Sequence, residues 1–515
     1  MIPRRASSAI ASAALIVVAC GAPGPTASPS PAMPSATAAP TPPPSLTVAP
    51  SASPSGSTAP AALQWVADGL AESARIDVPL DYADPAAGTI TLAVARRPAG
   101  DPAHRIGTLF INPGGPGAPA VGFVASPGLD VIIPPAVLDR FDVVTWDPRG
   151  VGLSGGIGCP DAATIADVES LDPNPSTSAE LGAYRSAYDS LASQCQAAAG
   201  PLLRFMSEAD TARDMDAIRA ALGETTVSYL GWSYGTYLGY LYATMFPSHL
   251  RAAVLDGPVD PTRDLLRQNL SQSRGFEAAL GHFFTLCAES ASCAFHGGGS
   301  PATAYDALML RLHRAPEGAT LDEGQAVLGV LNWLYGTDLA GLANALASAE
   351  RGDGSALRRS AASMLQGVSA GAYEATTCLD DRHPTTAADV EAALAPARRA
   401  SPHFGALVTM ADLYGCLDWP VPAEPVAVTA PPPGLPPVLV IAGTWDPATP
   451  PWGAAPLAQA LGTGVVLTRD GVGHTSGASA TLDPCLEGAL TAYLNQLTAP
   501  VPGTVCTDAP VTFQP

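Results

Sequence analysis

The stretch that most limits how this chain can fold is Gly231-Trp232-Ser233-Tyr234-Gly235. Thr226-Val227-Ser228-Tyr229-Leu230, apolar and of strand composition, precedes it; Thr236 to Phe246 follows, a run of helix-compatible length that stops at Pro247. Strand, sharp turn and helix in that order require small residues on both sides of the serine and push its hydroxyl above the sheet edge. A plain glycine turn into a buried helix would carry the same five letters in a chain with 50 glycines. A reactive centre therefore needs its other parts elsewhere.

Strand-like runs occur at Arg75–Leu80, Thr89–Ala95, Thr108–Asn112, Phe141–Trp146, Thr226–Leu230 and Arg251–Asp256, and resume at Pro437–Ala442 and Gly464–Thr468. Apolar strands alternating with helices predict an α/β fold with a mainly parallel sheet and functional loops at the strands' carboxyl ends. Between the two groups strand signals are scarce. Asp322-Glu323-Gly324-Gln325 resembles a capping box, and Val327, Leu328, Leu331 and Leu334 recur at helical spacing. Tyr305–His313 and Asp338–Glu350 also read as helices. The expected division is a first core part at 62–260, a helical cap at 261–405 and a second core part at 406–515.

Hydrolysis at Ser233 needs a base, an acid to orient the base, and donors for the oxyanion. With the chain order serine, acid, histidine, the candidates are Asp446, after the strand Leu439–Ala442, and His474, in Gly471-Val472-Gly473-His474 after Val465-Val466-Leu467. Asp446-Pro447-Ala448-Thr449-Pro450 also reads as an Asx turn. Asp256, closing its own strand in Leu255-Asp256-Gly257-Pro258, is the rival acid. Phe110-Ile111-Asn112-Pro113-Gly114-Gly115-Pro116-Gly117 offers the donors, because glycine lets backbone N–H groups approach a reacting carbonyl. The expected pair is the amides of Gly115 and Tyr234, with Gly114 second to Gly115.

Together, the Pro-Gly-Gly-Pro-Gly loop, Trp146-Asp147-Pro148-Arg149-Gly150-Val151-Gly152-Leu153-Ser154, the Gly-Trp-Ser-Tyr-Gly elbow and Gly443-Thr444-Trp445-Asp446-Pro447-Ala448-Thr449-Pro450 resemble the exported tripeptidyl aminopeptidases of actinobacteria. These are α/β-hydrolase serine exopeptidases related to proline iminopeptidases. The resemblance covers most of the chain, its last hundred residues included, and implies release of short units from peptides with a free N-terminus. One departure is Pro113, where the family pattern has histidine; the backbone donors are unaffected. An exopeptidase must also hold a protonated amine, for which carboxylates are suited. Glu374, Asp380 and Asp381, around Cys378, are the candidates. An esterase or lipase on the same triad, or a non-catalytic peptide-binding surface lipoprotein, are the competing readings.

Charge and cysteine usage narrow the setting. The net charge is −21, which disfavours a nucleic-acid partner. Lysine does not occur at all, which excludes Schiff-base enzymes, phosphate-loop NTPases and Ser-Lys hydrolases. Arg4 and Arg5 precede an apolar run, Ala9–Ala19, of signal-peptide length, which ends in Val17-Val18-Ala19-Cys20. Small residues before Cys20 resemble a lipobox, so residues 1–20 are read as a lipoprotein signal and Cys20 as the lipidated residue. Residues 21–61 are Pro, Ala, Ser and Thr rich and uncharged, a tether that cannot bury enough apolar surface to order itself. Membrane contact would then run through that lipid alone. The other eight cysteines suggest disulfides, most simply between sequence neighbours: Cys159 with Cys195, Cys287 with Cys293, Cys378 with Cys416, and Cys485 with Cys506, although eight cysteines leave many other connectivities open. No C-x-x-C or H-E-x-x-H motif occurs, so no metal and no cofactor is expected.

Overall fold

The computed structural model describes residues 63–126, 128–314, 321–366, 368–478 and 483–513. The expected signal, Cys20 and the whole of the expected tether lie outside them. Ten strands form one sheet: β1 (Val66–Asp68), β2 (Ala71–Pro79), β3 (Thr89–Arg97), β4 (Gly107–Asn112), β5 (Phe141–Trp146), β6 (Val227–Trp232), β7 (Leu250–Asp256), β8 (Val438–Trp445), β9 (Gly464–Val472) and β10 (Val505–Thr507). Their order across the sheet is β1-β2-β3-β5-β4-β6-β7-β8-β9-β10. β1, β2 and β3 pair antiparallel, β3 joins β5 antiparallel, and every later pairing from β5 through β10 is parallel.

Every residue of β4 and β6 is buried, as expected for strands covered by helices on both faces. Arg75–Val78 of β2 instead alternates exposed and buried, the pattern of a strand with one wet face. The parallel strands end in register. Asn112 sits opposite Gly231, Trp232 opposite Asp256, and Asp256 opposite Ile441. The loops after β4, β6, β7 and β8 therefore leave one edge of the sheet together.

Helices α1 (Ser178–Ala199) and α2 (Glu208–Ala221) lie between β5 and β6, and α3 (Gly235–Met245) follows the elbow. Between β7 and β8 come α4 (Leu265–Glu289), α5 (Pro301–Arg314), α6 (Glu323–Tyr335), α7 (Leu339–Glu350), α8 (Ser355–Gln366), α9 (Ala370–Asp380), α10 (Ala387–Ala400) and α11 (Gly405–Leu417). Asp322 and Gln325 form the anticipated capping box on α6. The helical layer is larger than 261–405. α11 runs on to Leu417, and α1 joins it by packing Tyr184, Tyr188 and Leu191 against Cys378, Met410 and Leu413. Helices α12 (Ala454–Leu461) and α13 (Pro484–Gln496) flank β8 and β9.

The four disulfides join the expected sequence neighbours, Cys159–Cys195, Cys287–Cys293, Cys378–Cys416 and Cys485–Cys506. Arg149, from the Asp-Pro-Arg-Gly segment after β5, is fully buried; it donates to both oxygens of Asp214 at 2.8 and 2.6 Å and to the carbonyls of Pro79, Leu80 and Phe205. It thereby ties β2 to α2. Asp214→Ala is expected to destabilise the protein by about 3–5 kcal/mol, because it leaves a buried guanidinium without its counter-charge. A lowered urea midpoint with an unchanged folded-state circular dichroism spectrum would register this; an unshifted midpoint would show that the pair is dispensable.

Candidate active site

The elbow takes the geometry that its glycines imply. Ser233 has φ 57°, the left-handed region that side chains rarely adopt, and its amide donates to the Asp256 carbonyl at 2.8 Å. A Cβ on Gly235 would fall 2.7 Å from the Asn112 carbonyl oxygen, so the turn closes only with glycine there. Thr236 locks the turn from below, donating from Oγ1 to the Ser233 carbonyl at 2.6 Å.

His474 and Asp446 are paired and buried. His474 Nδ1 donates to Asp446 Oδ1 at 2.8 Å and lies 3.0 Å from Oδ2. Asp446 also accepts from the amides of Ala448 (3.0 Å), Thr449 (2.8 Å) and Thr475 (2.9 Å), and from Thr449 Oγ1 at 3.2 Å. The Asx turn and the bond to His474 are thus made by one carboxylate. His474 is held from above as well: its amide donates to the Tyr335 carbonyl of α6 at 2.8 Å, and the Tyr335 ring meets the imidazole edge-to-face at 5.1 Å. Buried Arg469 donates to the carbonyls of Val472, Gly473 and Thr475, fixing the loop on both sides of the histidine. His474 Nε2 is buried and has no hydrogen-bond partner among the described residues.

Asp256 does not touch the imidazole. Its Oδ2 accepts from the amide of Ser476 at 2.9 Å and from the Ser476 hydroxyl, and burial pushes its pKa up to about 6. The elbow and the acid and histidine loops converge on Gly257 (φ 76°). A Cβ there would lie 2.6 Å from Thr449 Oγ1, 2.7 Å from Thr475 Cγ2 and 3.4 Å from the Ser233 amide nitrogen.

The glycine loop after β4 lies against the elbow. A Cβ on Gly114 would sit 2.6 Å from the Trp232 carbonyl oxygen and 2.9 Å from the Tyr234 amide nitrogen. The Gly114 amide donates to Asn112 Oδ1 at 2.8 Å and is thus already engaged.

Ser233, Gly115 and Tyr234 line a cavity of about 370 Å³, together with Asp380, Asp381 and Asp412. The structure distinguishes the three carboxylates singled out around Cys378. Asp381 is half-buried in the wall, and desolvation, followed by Asp264, raises its pKa to about 7. Asp380 is buried and already bonded, accepting from the Tyr234 hydroxyl at 3.1 Å and from the Glu208 amide at 3.2 and 3.1 Å. Glu374 is absent from this wall; it lines a neighbouring apolar cavity of about 70 Å³, where burial holds its pKa well above the usual range. Asp412 of α11, not anticipated from sequence, borders both cavities, accepts from the Tyr373 hydroxyl at 3.2 Å, and has its pKa raised by burial to about 8. Its signal was a lone acid between the largely apolar run Ala406-Leu407-Val408-Thr409-Met410-Ala411 and Leu413.

Residues 107–297 match the family described as alpha/beta hydrolase fold, and residues 401–506 match TAP-like protein. Serine protease Hip1 of Mycobacterium tuberculosis is 35% identical over 470 residues, covering 85% of this chain and 88% of the relative. Carboxylesterase B of the same species is 33% identical over 458 residues, covering 85% and 86%. A tripeptidyl aminopeptidase of Streptomyces coelicolor is 32% identical over 452 residues, covering 84% and 82%. With such identity sustained across the sheet and its helical layer, the chain belongs to the tripeptidyl aminopeptidase-like family of α/β-hydrolases and is a serine hydrolase.

Proposed function

We propose that the chain is an exported serine exopeptidase that removes tripeptides or other short units from peptides with a free amine. In this reading Ser233 Oγ attacks the scissile carbonyl while His474 Nε2 takes its proton, and Asp446 holds the imidazole with Nε2 free to accept. The amides of Gly115 and Tyr234 stabilise the oxyanion. Collapse expels the shortened peptide, protonated by His474, and leaves the N-terminal unit as an ester on Ser233. Water activated by the same histidine releases it. Export and lipidation at Cys20 belong to the same proposal and rest on the N-terminal sequence.

The observation that carries the exopeptidase reading is the acidic, largely buried wall beside Ser233. Asp412 is buried and Asp381 half-buried, both face the cavity, and no salt bridge to either occurs among the described residues. Burying a carboxylate without a counter-cation is costly, and a substrate ammonium would supply one. A fluorogenic tripeptide amide with a free amine is expected to be cleaved far faster than its acetylated form; equal rates would sink the exopeptidase claim. The Carboxylesterase B relative favours a second reading, an esterase on the same triad. A short acyl ester hydrolysed with no measurable cleavage of any peptide would establish it.

Asp381→Asn is expected to raise KM for free-amine peptides about 10- to 100-fold, the loss of one charge-assisted hydrogen bond, with kcat nearly unchanged. A pH dependence follows from the same groups. With their raised pKa values, the Asp381 and Asp412 carboxyls lose their charge as pH falls through about 7 and about 8, whereas a peptide α-amine loses its proton above about 8. KM should therefore be lowest between roughly pH 7 and 8 and rise steeply toward acid. A KM flat from pH 5 to 8 would remove these carboxylates from amine binding.

A further inference from the structure

Helix α9 is fixed at its two ends to the two segments that carry the proposed oxyanion donors. At its start, the Ser369 amide donates to the Gly117 carbonyl at 3.2 Å, and a Cβ on Gly117 would come 2.8 Å from the Tyr373 amide nitrogen. Gly117 belongs to the loop that presents Gly115. At its end, Asp380 Oδ2 accepts from the Tyr234 hydroxyl at 3.1 Å, on the residue whose amide is the second donor. Both Asp380 oxygens also accept from the Glu208 amide at the start of α2. The eleven residues of α9 span roughly 16 Å at 1.5 Å per residue, and two disulfides stiffen it. Cys378 joins it to α11, and a Cβ on Gly371 would lie 2.8 Å from Cys195 Sγ, so the Cys159–Cys195 bridge packs directly on its first turn.

We propose that α9 is a strut that sets the spacing of the two oxyanion amides, with Asp380 a positioning residue that acts through the Tyr234 hydroxyl. This rests on the proposed oxyanion hole, and it assigns Asp380 a role different from amine binding. The two roles differ in what they move. A carboxylate that binds the substrate amine changes KM for free-amine substrates and leaves a neutral ester alone. A group that aligns an oxyanion donor changes kcat for every acyl substrate, because the donor is needed at the tetrahedral stage.

The test measures kcat and KM on p-nitrophenyl acetate and on a free-amine tripeptide amide for the wild type, Tyr234→Phe, Asp380→Ala, Asp380→Asn and the double variant Tyr234→Phe/Asp380→Ala. Removing an oxyanion donor outright costs about 10²- to 10³-fold. Misaligning one through a lost hydroxyl contact is expected to lower kcat about 10- to 100-fold on both substrates, with the ester KM within about twofold. The double variant should be no worse than either single one, since both break the same contact. Asp380→Asn keeps an acceptor for the tyrosine and should recover most of the lost kcat. An ester kcat unchanged in Tyr234→Phe, or an Asp380→Ala effect confined to KM on the amine substrate, would overturn the proposal. If Asp380→Ala does not fold, Tyr234→Phe decides alone. A wild type that hydrolyses the ester and spares the peptide would refute the exopeptidase reading while leaving the strut testable.

Discussion

Replacing Ser233 with alanine is expected to lower kcat on the order of 10⁶-fold, the loss seen when a serine hydrolase loses its nucleophile. The effect should appear in single-turnover kinetics, and labelling by a fluorophosphonate probe should vanish. The melting temperature should hardly move, because alanine keeps the Cβ at φ 57° and so bears the same backbone strain. Ser233→Gly should be as inactive, yet more resistant to heat, since glycine adopts that conformation at little cost. Residual turnover within tenfold of the wild type would mean that another group attacks the substrate.

The next largest effect is expected at Asp446. Asp446→Asn should cost about 10⁴-fold in kcat, because an amide cannot hold His474 with its proton on Nδ1 and Nε2 free to accept. The substitution also replaces a carboxylate that accepts from three amides and Thr449 Oγ1, so assays belong well below the melting transition. Asp256→Asn is the informative control. Its carboxyl bonds Ser476 rather than His474, and its kcat should stay within about tenfold of wild type. Comparable losses for the two variants would reopen the assignment of the orienting acid.

Much of the sheet was legible in the chain because buried parallel strands announce themselves as short runs of valine, leucine and isoleucine between turn residues. β5 has the bounds read from sequence, and β4, β7 and β8 differ by a few residues at their ends. The elbow, the glycine loop and the Asp446 and His474 loops were legible for a related reason: each needs residue types that little else in a fold demands. The helical layer was less so. Amphipathic spacing says that a helix face is buried and not what buries it, which is why the partnership of α1 with α9 and α11 went unseen. Glu374, Asp380 and Asp381 looked equivalent in sequence because all are near Cys378. On a helix, six residues turn the chain about 240° beyond a full circle, so Glu374 and Asp380 point to different surroundings. Asp412 was missed because its relation to the cavity depends on how α11 packs, which no local pattern encodes.

The two bridges against α9 give the oxidation state of the protein a meaning beyond resistance to unfolding. Most of the sheet and its elbow are built without them, so a copy made in a reducing cytoplasm can be expected to reach its overall shape. Its two proposed oxyanion amides would then be held by hydrogen bonds and packing without the covalent ties. Such a copy would be a poor hydrolase inside the cell that makes it, and would gain full turnover as Cys378–Cys416 and Cys159–Cys195 close in an oxidising compartment. Oxidation would then complete the proposed site, and the cell's own peptides would be spared by chemistry the cell already maintains.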